Sequence, residues 1–501
     1  MVKTMEIFGN YIDGKIDKDG EETTLLSPID GSEFGKLYLA DEEKTKAAID
    51  SAESAFRKWS TTNLNQRQEI LSKLLGIVEG KADRYAWLES ANTGRTLRQS
   101  TFMDVTIAIE HIRYFATTTE FVESRTIEHP EYPGTKGIVQ YRPFGVVGGV
   151  APWNVPLLMA VWKIMPALLT GNTVVLKPSH YTPATAFELA KDLSTAGLPP
   201  GVLNVVTGEG SVVGTALSRS EKIKVLSFTG STATGKRVSR EAGGTLKKIL
   251  MELGGKSPNI VLSDADLDKA AKGVLFGIFL HSGQLCESGS RLLVHDDIKE
   301  RLLSRIKFYM ERMKPGNPLD METDIGAITT REQRNRIEAL YNRGLEEGAK
   351  IFFSHSLGPA VPQGGFYFPP TVLSGVSNSM EVAQEEIFGP VLTVTDFHSD
   401  DEAADIANSS KYGLAAGIWS NDTDRATGLA NLIDSGTVWI NDYHMISAAA
   451  PRGGYKESGI GRELGLDGIM EYTQTRHLFY GSDENALGEI ARGLVVANQE
   501  D

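Results

Sequence analysis

Gly145-Val146-Val147-Gly148-Gly149-Val150-Ala151 opens a stretch that continues through a helical segment at 157–169 and ends in Thr173-Val174-Val175-Leu176-Lys177. The outer pieces are short apolar runs and the middle has helical length, so the stretch reads as strand, helix, strand. The alternation continues with apolar runs at 202–207, 224–229 and 248–252, separated by helical stretches at 182–196, 211–218 and 231–241. A chain that repeats this unit builds a mostly parallel sheet covered on both faces. Such sheets hold ligands at the carboxyl ends of their strands.

Upstream, residues 41–125 read as helical. Asp41 is placed to cap a segment whose apolar positions Ala47, Ala48, Ala52, Ala55, Phe56 and Trp59 recur at helical spacing. Residues 66–78 and 103–115 show the same periodicity. Downstream, strand candidates at 258–262, 290–294, 367–373, 391–397, 414–419 and 436–441 alternate with helices at 267–279, 299–313, 332–347, 399–409 and 422–433. This predicts a second α/β domain. The tail from 471 carries one more strand-like run at 475–480.

The totals narrow the class. A chain of 501 residues is too long for one compact core, so two or three domains are expected. The formal net charge is −14 and no long Lys/Arg cluster occurs, which argues against nucleic acid or an anionic membrane as partner. Apolar runs such as 144–150 and 155–170 are broken by Gly, Pro or Lys and fall short of a membrane span. The first ten residues carry no apolar stretch of the export type. With a single cysteine in the chain, these features predict a cytoplasmic protein.

Three glycine-rich loops compete for attention. Gly230-Ser231-Thr232-Ala233-Thr234-Gly235-Lys236 closes a strand and opens a helix, where bare N–H groups favour phosphate. It departs from a nucleoside-triphosphate loop because Arg237 stands where a magnesium-holding hydroxyl is required. Gly208, Gly210 and Gly214 follow another strand in a weak dinucleotide-like spacing. The loop at 451–463 is too glycine-rich for regular structure. Separately, Glu252 precedes Gly254-Gly255 at a strand end, where a carboxylate could act as general base. Cys286, in Gly283-Gln284-Leu285-Cys286-Glu287-Ser288-Gly289-Ser290-Arg291, has no partner for a disulfide or a cysteine-rich metal site. Small neighbours leave room at the sulfur and Arg291 adds positive charge nearby in sequence. A thiolate there would be a nucleophile, whereas a buried thiol would be a small hydrophobe.

Together these segments resemble the aldehyde dehydrogenase superfamily of NAD(P)-dependent, non-phosphorylating enzymes. The likeness runs in order through Ala151-Pro152-Trp153-Asn154, Lys177-Pro178-Ser179, Phe228-Thr229-Gly230-Ser231, Glu252-Leu253-Gly254-Gly255-Lys256 and the loop at 283–286. It continues through Glu385-Glu386-Ile387-Phe388-Gly389-Pro390 and the loop at 453–461. What the resemblance implies is a Cys286 thiolate that attacks an aldehyde carbon, with the oxyanion held by the Asn154 amide and the Cys286 N–H. Glu252 then activates the water that hydrolyses a thioester. The resemblance places NAD or NADP on Lys177 and the residue three positions on, His180, at the adenine ribose. It puts Gly230 and Ser231 at the pyrophosphate, and Glu386 with Phe388 and Trp153 at the nicotinamide end. Gly210, Gly214, Phe228, Leu253, Gly254 and Gln333 complete the expected cofactor surface. No metal is implied.

Two departures from the family pattern carry expectations of their own. His180 stands where strongly NAD-preferring members have glutamate, which predicts tolerance of NADP. Arg452 replaces a common phenylalanine of the substrate tunnel, and Glu287 is unusual beside the nucleophile. Two such charges are costly to bury unless they are paired or meet a polar ligand. One reading is a polar or carboxylate-bearing aldehyde held by Arg452; the other turns Arg452 to solvent or a neighbouring subunit. Val155, Met159, Trp162, Leu285 and Ile446 are the other expected walls.

The implied architecture is α/β: a Rossmann-type parallel-sheet cofactor domain at 1–121 and 144–254, a catalytic domain at 255–457, and a small β oligomerisation element at 122–143 and 458–501. The last would join a neighbour's sheet in a homodimer or homotetramer. A thiol hydrolase would also use Cys286 but would need a histidine base, and no histidine is matched to the site. A non-catalytic binding protein on the same fold is the other rival.

Overall fold

The computed structural model describes residues 6–482 and 486–495, and expectations that fall on the remaining positions lie outside them. Its centre is an eight-stranded sheet. Strands Lys248–Glu252, Ile223–Thr229, Val146–Val150, Thr173–Lys177 and Leu203–Val205 run parallel in that spatial order. The chain thus starts in the middle, builds outward one way and returns to build the other way. The switch falls between Val146–Val150 and Ile223–Thr229, where the strand ends leave a crevice. Asn10–Ile12 and Gly459–Ile460 add antiparallel partners on opposite sides.

The helix Pro156–Leu169 crosses from the first of these strands to the next. All fourteen of its residues are buried, as its apolar composition on every side requires. Pro156 fits its first turn, where no intrahelical N–H is needed. Lys163 is the single charged residue in the helix, and Glu463 pairs with it. Upstream, Asp41 does cap Glu42–Trp59, accepting from Lys44 N at 2.8 Å.

The second sheet has six parallel strands, in the order Thr371–Ser374, Val391–Phe397, Arg291–His295, Pro258–Val261, Ala415–Trp419 and Thr437–Ile440. Lys350–Ser354 closes one edge antiparallel. A third, antiparallel sheet joins Thr473–Tyr480, Lys136–Pro143 and Ser124–Glu128.

Several expectations are corrected. The expected strand at 367–373 is reduced to Thr371–Ser374, and the helix at 211–218 becomes a π-turn, Gly210–Gly214, followed by Thr215–Arg219. The loop at 451–463 is not wholly irregular, because Tyr455–Lys456 and Gly459–Ile460 are two-residue strands. Gly459 and Ile460 pair with Glu252 and Met251, so the boundary expected at 458 cuts into the cofactor sheet; the small sheet's own strand begins at Thr473. Two-residue strands show no periodicity to read.

Candidate active site

One cavity gathers the carboxyl ends of the central strands and the loop that carries the sulfur. Its walls include Trp153, Asn154, Gly230, Ser231, Glu252, Leu253, Gly254, Cys286, Gln333, Glu386 and Phe388 from the expected cofactor and catalytic sets. Val155, Met159, Trp162, Leu285, Glu287, Ile446 and Arg452 from the expected substrate set line it too.

The Cys286 loop is tightly placed. His281, Ser282 and Gly283 all have positive φ, and a Cβ on Gly283 would lie 2.2 Å from the Gly389 carbonyl oxygen, so only glycine fits there. The buried Gln284 side chain donates to His281 O at 3.0 Å and accepts from Thr329 N at 2.9 Å. Asn154 Nδ2 donates to Gln284 O at 2.8 Å, which fixes that amide beside the loop. Cys286 Sγ donates to Glu287 Oε2 at 3.0 Å. Burial, and then the Glu287 carboxylate, push the thiol well above its ordinary pKa, while Arg452 pulls the other way.

Arg452 is buried, and its Nη2 donates to Glu287 Oε2 at 2.9 Å. Its guanidinium carbon lies 5.7 Å from the centre of the Trp162 ring. This overturns the solvent-facing alternative, and the guanidinium already has a carboxylate partner. Burial alone would raise the Glu287 carboxyl, but Arg452 and His444 outweigh it and hold it well below the usual range. His444 Nδ1 is 3.2 Å from Glu287 Oε1, a histidine at the site that sequence reasoning did not find. Its contact is with the carboxylate and not with sulfur.

Glu252 ends its strand inside the cavity. Burial and the nearby Glu463 raise its pKa to about 7, against the opposing pull of Arg452 and Lys163. Glu463 and Lys163 were missed at the level of sequence, although a lone lysine in an apolar helix was a visible signal. Arg291 plays no part at the sulfur: its donors go to the carbonyls of Lys256, Ile406 and Ala407 and to Asn378 Oδ1.

The surfaces expected to hold a dinucleotide fit one. Glu386 is half-buried, receives the Gly255 N–H at 3.3 Å, and has its pKa raised by desolvation to about 7. A Cβ on Gly254 would sit 2.4 Å from Glu386 Oε2, so the glycine is what lets this carboxylate approach. Phe388 holds φ +56° and meets Trp153 edge-on at 5.2 Å; Gln333 Nε2 anchors it by donating to Ile387 O and Phe388 O, each at 3.0 Å. Ser231 caps the helix Thr232–Gly243, and the Phe228 ring lies under Gly230.

Lys177, His180, Gly210, Gly214 and Phe228 do not line this cavity. Lys177 ends the next strand over, where burial lowers its ammonium to about 8. His180 sits with it, 3.9 Å from Glu209. Burial, and then Lys177, lower the histidine's pKa. Added Cβ atoms on Gly210 and Gly214 would meet open space, so no protein contact requires glycine at either position.

Two parallel sheets with a thiol, a carboxylate and an amide at their junction define an aldehyde-dehydrogenase-type oxidoreductase. The chain belongs to the aldehyde dehydrogenase family, whose sequence profile matches residues 15–478. Among curated relatives, the betaine aldehyde dehydrogenase of Bacillus subtilis (strain 168) is 40% identical over 483 residues, covering 95% of this chain and 98% of that protein. Among solved structures, betaine aldehyde dehydrogenase from Staphylococcus aureus in complex with NAD+ superposes with a TM-score of 0.92 at 36% identity, over 95% of each chain. A point mutant of that enzyme, with NAD+ and a cysteine modified by BME, gives the same TM-score and identity over 95% of this chain and 97% of that one.

Proposed function

We propose that this protein oxidises a neutral, apolar aldehyde to its carboxylic acid with NAD+, using Cys286 as nucleophile and Glu252 as base. The observation that carries this reading is the shared cavity of Cys286, Glu252, Asn154 and the Glu386–Phe388 segment. Cys286 attacks the carbonyl carbon, and the Asn154 amide, held by Gln284 O, faces the oxygen that gains charge. A bound nicotinamide would supply the hydride acceptor. Glu386 and the Trp153–Phe388 pair would hold the nicotinamide end, and Lys177 and Ser231 would hold the rest of the dinucleotide. Glu252 then removes a proton from the water that hydrolyses the thioester.

The substrate class follows from charge accounting. Arg452 is matched by Glu287, and Arg95 by Asp104, so neither cation is left for a substrate carboxylate. Met103, Ile107, Leu158, Met159, Leu285 and Ile446 supply an apolar wall. A quaternary ammonium group needs open aromatic faces, and the Trp162 ring already has the Arg452 guanidinium near it. Alkyl and aryl aldehydes are therefore favoured over betaine aldehyde or semialdehyde acids.

The cofactor unit comprises about 1–121 and 144–254 with the strand Gly459–Ile460, and the thiol-bearing unit occupies about 255–457. The sheet of Ser124–Glu128, Lys136–Pro143 and Thr473–Tyr480 joins subunits into a homo-oligomer. No helix among the described residues is long and apolar enough to cross a membrane, and the enzyme acts in the cytoplasm. NADH formation across hexanal, benzaldehyde, succinic semialdehyde, glyceraldehyde and betaine aldehyde tests the reading. Turnover of hexanal or benzaldehyde at about tenfold or more the kcat/KM of the charged substrates is expected. No reduction of NAD+ with any aldehyde would overturn it.

A further inference from the structure

A buried carboxylate beside a nucleophilic sulfur is an expensive arrangement unless several groups hold it. Glu287 is held on every side. The Cys286 thiol and Arg452 Nη2 both donate to Oε2, at 3.0 and 2.9 Å. His444 Nδ1 lies 3.2 Å from Oε1, and Tyr443 Oη donates to the Glu287 backbone carbonyl at 2.9 Å. A single carboxylate oxygen is thus shared between the thiol hydrogen and the guanidinium.

We propose that Glu287 and Arg452 form a charge couple that sets the ionisation of Cys286: the carboxylate keeps the hydrogen on sulfur in the resting enzyme, and the guanidinium holds the thiolate once that contact opens. This rests on Cys286 being the nucleophile of the proposed reaction. Ionisation moves the S–H proton to water and leaves the electron pair on sulfur, directly against a carboxylate. Two anions at that separation repel strongly where burial limits solvent screening, so the thiol form is favoured while Glu287 stays in place. Arg452 supplies the opposing attraction but is engaged by the same oxygen.

The surrounding charges do not remove the effect. Glu252 adds negative charge from its strand end, and is itself faced by Glu463 and Lys163. Arg452 is faced by Trp162 and influences His111, and neither ring brings a second carboxylate to the sulfur. Glu287 is therefore a positioning and charge-setting residue in contact with the reacting atom.

Because Cys286 is the chain's only thiol, iodoacetamide alkylation reads its ionisation without interference. Alkylation rate against pH is measured without aldehyde for wild type, Glu287→Gln, Arg452→Gln, Glu252→Gln and the double variant Glu287→Thr/Arg452→Phe. Glu287→Gln is expected to lower the inflection by about one pH unit, giving about tenfold faster alkylation at neutral pH. Arg452→Gln is expected to raise it, and the double variant, which leaves no unpaired charge should a single variant misfold, to fall between the two. An unchanged or slower Glu287→Gln would overturn the couple, as would an equal downward shift in Glu252→Gln. Aldehyde oxidation by the wild type is scored separately, so failure of the couple and failure of the proposed reaction are told apart.

Discussion

Lys163 and Glu463, three hundred positions apart in sequence, form an ion pair with both side chains buried behind Glu252. The pair ties the apolar helix Pro156–Leu169 to the segment that follows the short strand Gly459–Ile460, and it places a second carboxylate within influence of the proposed base. Removing one partner leaves an unpaired buried charge. Lys163→Met is expected to cost about 3–5 kcal/mol in denaturant unfolding, and Lys163→Met/Glu463→Leu considerably less. Equal losses in the single and double variants would show that the pair does not act as one unit.

Burial and Glu463 raise the Glu252 carboxyl to about 7. A general base must be deprotonated, so hydrolysis of the acyl-enzyme should rise with pH through about 7 and fall below it. Glu463→Gln removes the larger of the two neighbouring carboxylates' contributions, and the acid limb of the kcat profile should move to lower pH. A limb that stays in place would assign it to another group.

His180 was expected to open the adenine end to NADP because it replaces a glutamate. In the fold, burial and Lys177 keep the imidazole below its ordinary value of 6.5, and Glu209 lies 3.9 Å away. The neutral ring gives no attraction to an added phosphate, and Glu209 restores a repelling carboxylate. NAD+ should therefore be preferred near pH 7.5, with relative NADP+ use rising as the pH falls below 6.5 and the imidazole becomes charged. Glu209→Gln should raise kcat/KM for NADP+ by about fivefold, the scale of about 1 kcal/mol for two solvated charges a few ångströms apart. Steady-state kinetics with both dinucleotides checks this.

Gly254 admits the Glu386 carboxylate, which a Cβ would meet at 2.4 Å. Gly254→Ala should displace that carboxylate and reduce kcat/KM for NAD+ by about a hundredfold, the cost of a misplacement near 1 Å. Gly210→Ala meets open space and should leave the melting temperature unchanged. Comparing KM for NAD+ with thermal stability in the two variants separates a cofactor effect from a folding one.

Much of the α/β frame was readable because buried parallel strands are continuous apolar runs with helices between them. Thr173–Lys177, Lys248–Glu252 and Val391–Phe397 fall where the runs predict. The strands Glu6–Phe8, Asn10–Ile12 and Lys15–Asp17 were not readable, since three residues show no period. At the site, the cost of burying Glu287 and Arg452 was legible and demanded partners. That each is the other's partner depends on a contact across 165 positions, which sequence spacing does not encode. His444 gave no signal either; its place comes from a positive-φ turn after Asp442 and Tyr443.

The central claim is that a thioester forms on Cys286 and waits for Glu252. The most direct measurement is a rapid-mixing assay of Glu252→Gln with NAD+ and hexanal, followed by the intact mass of the protein. The account predicts a burst of about one NADH per subunit, a stalled second turnover, and one acyl group added at Cys286. Undiminished steady turnover in that variant, or a burst with no mass added at the sulfur, would contradict it.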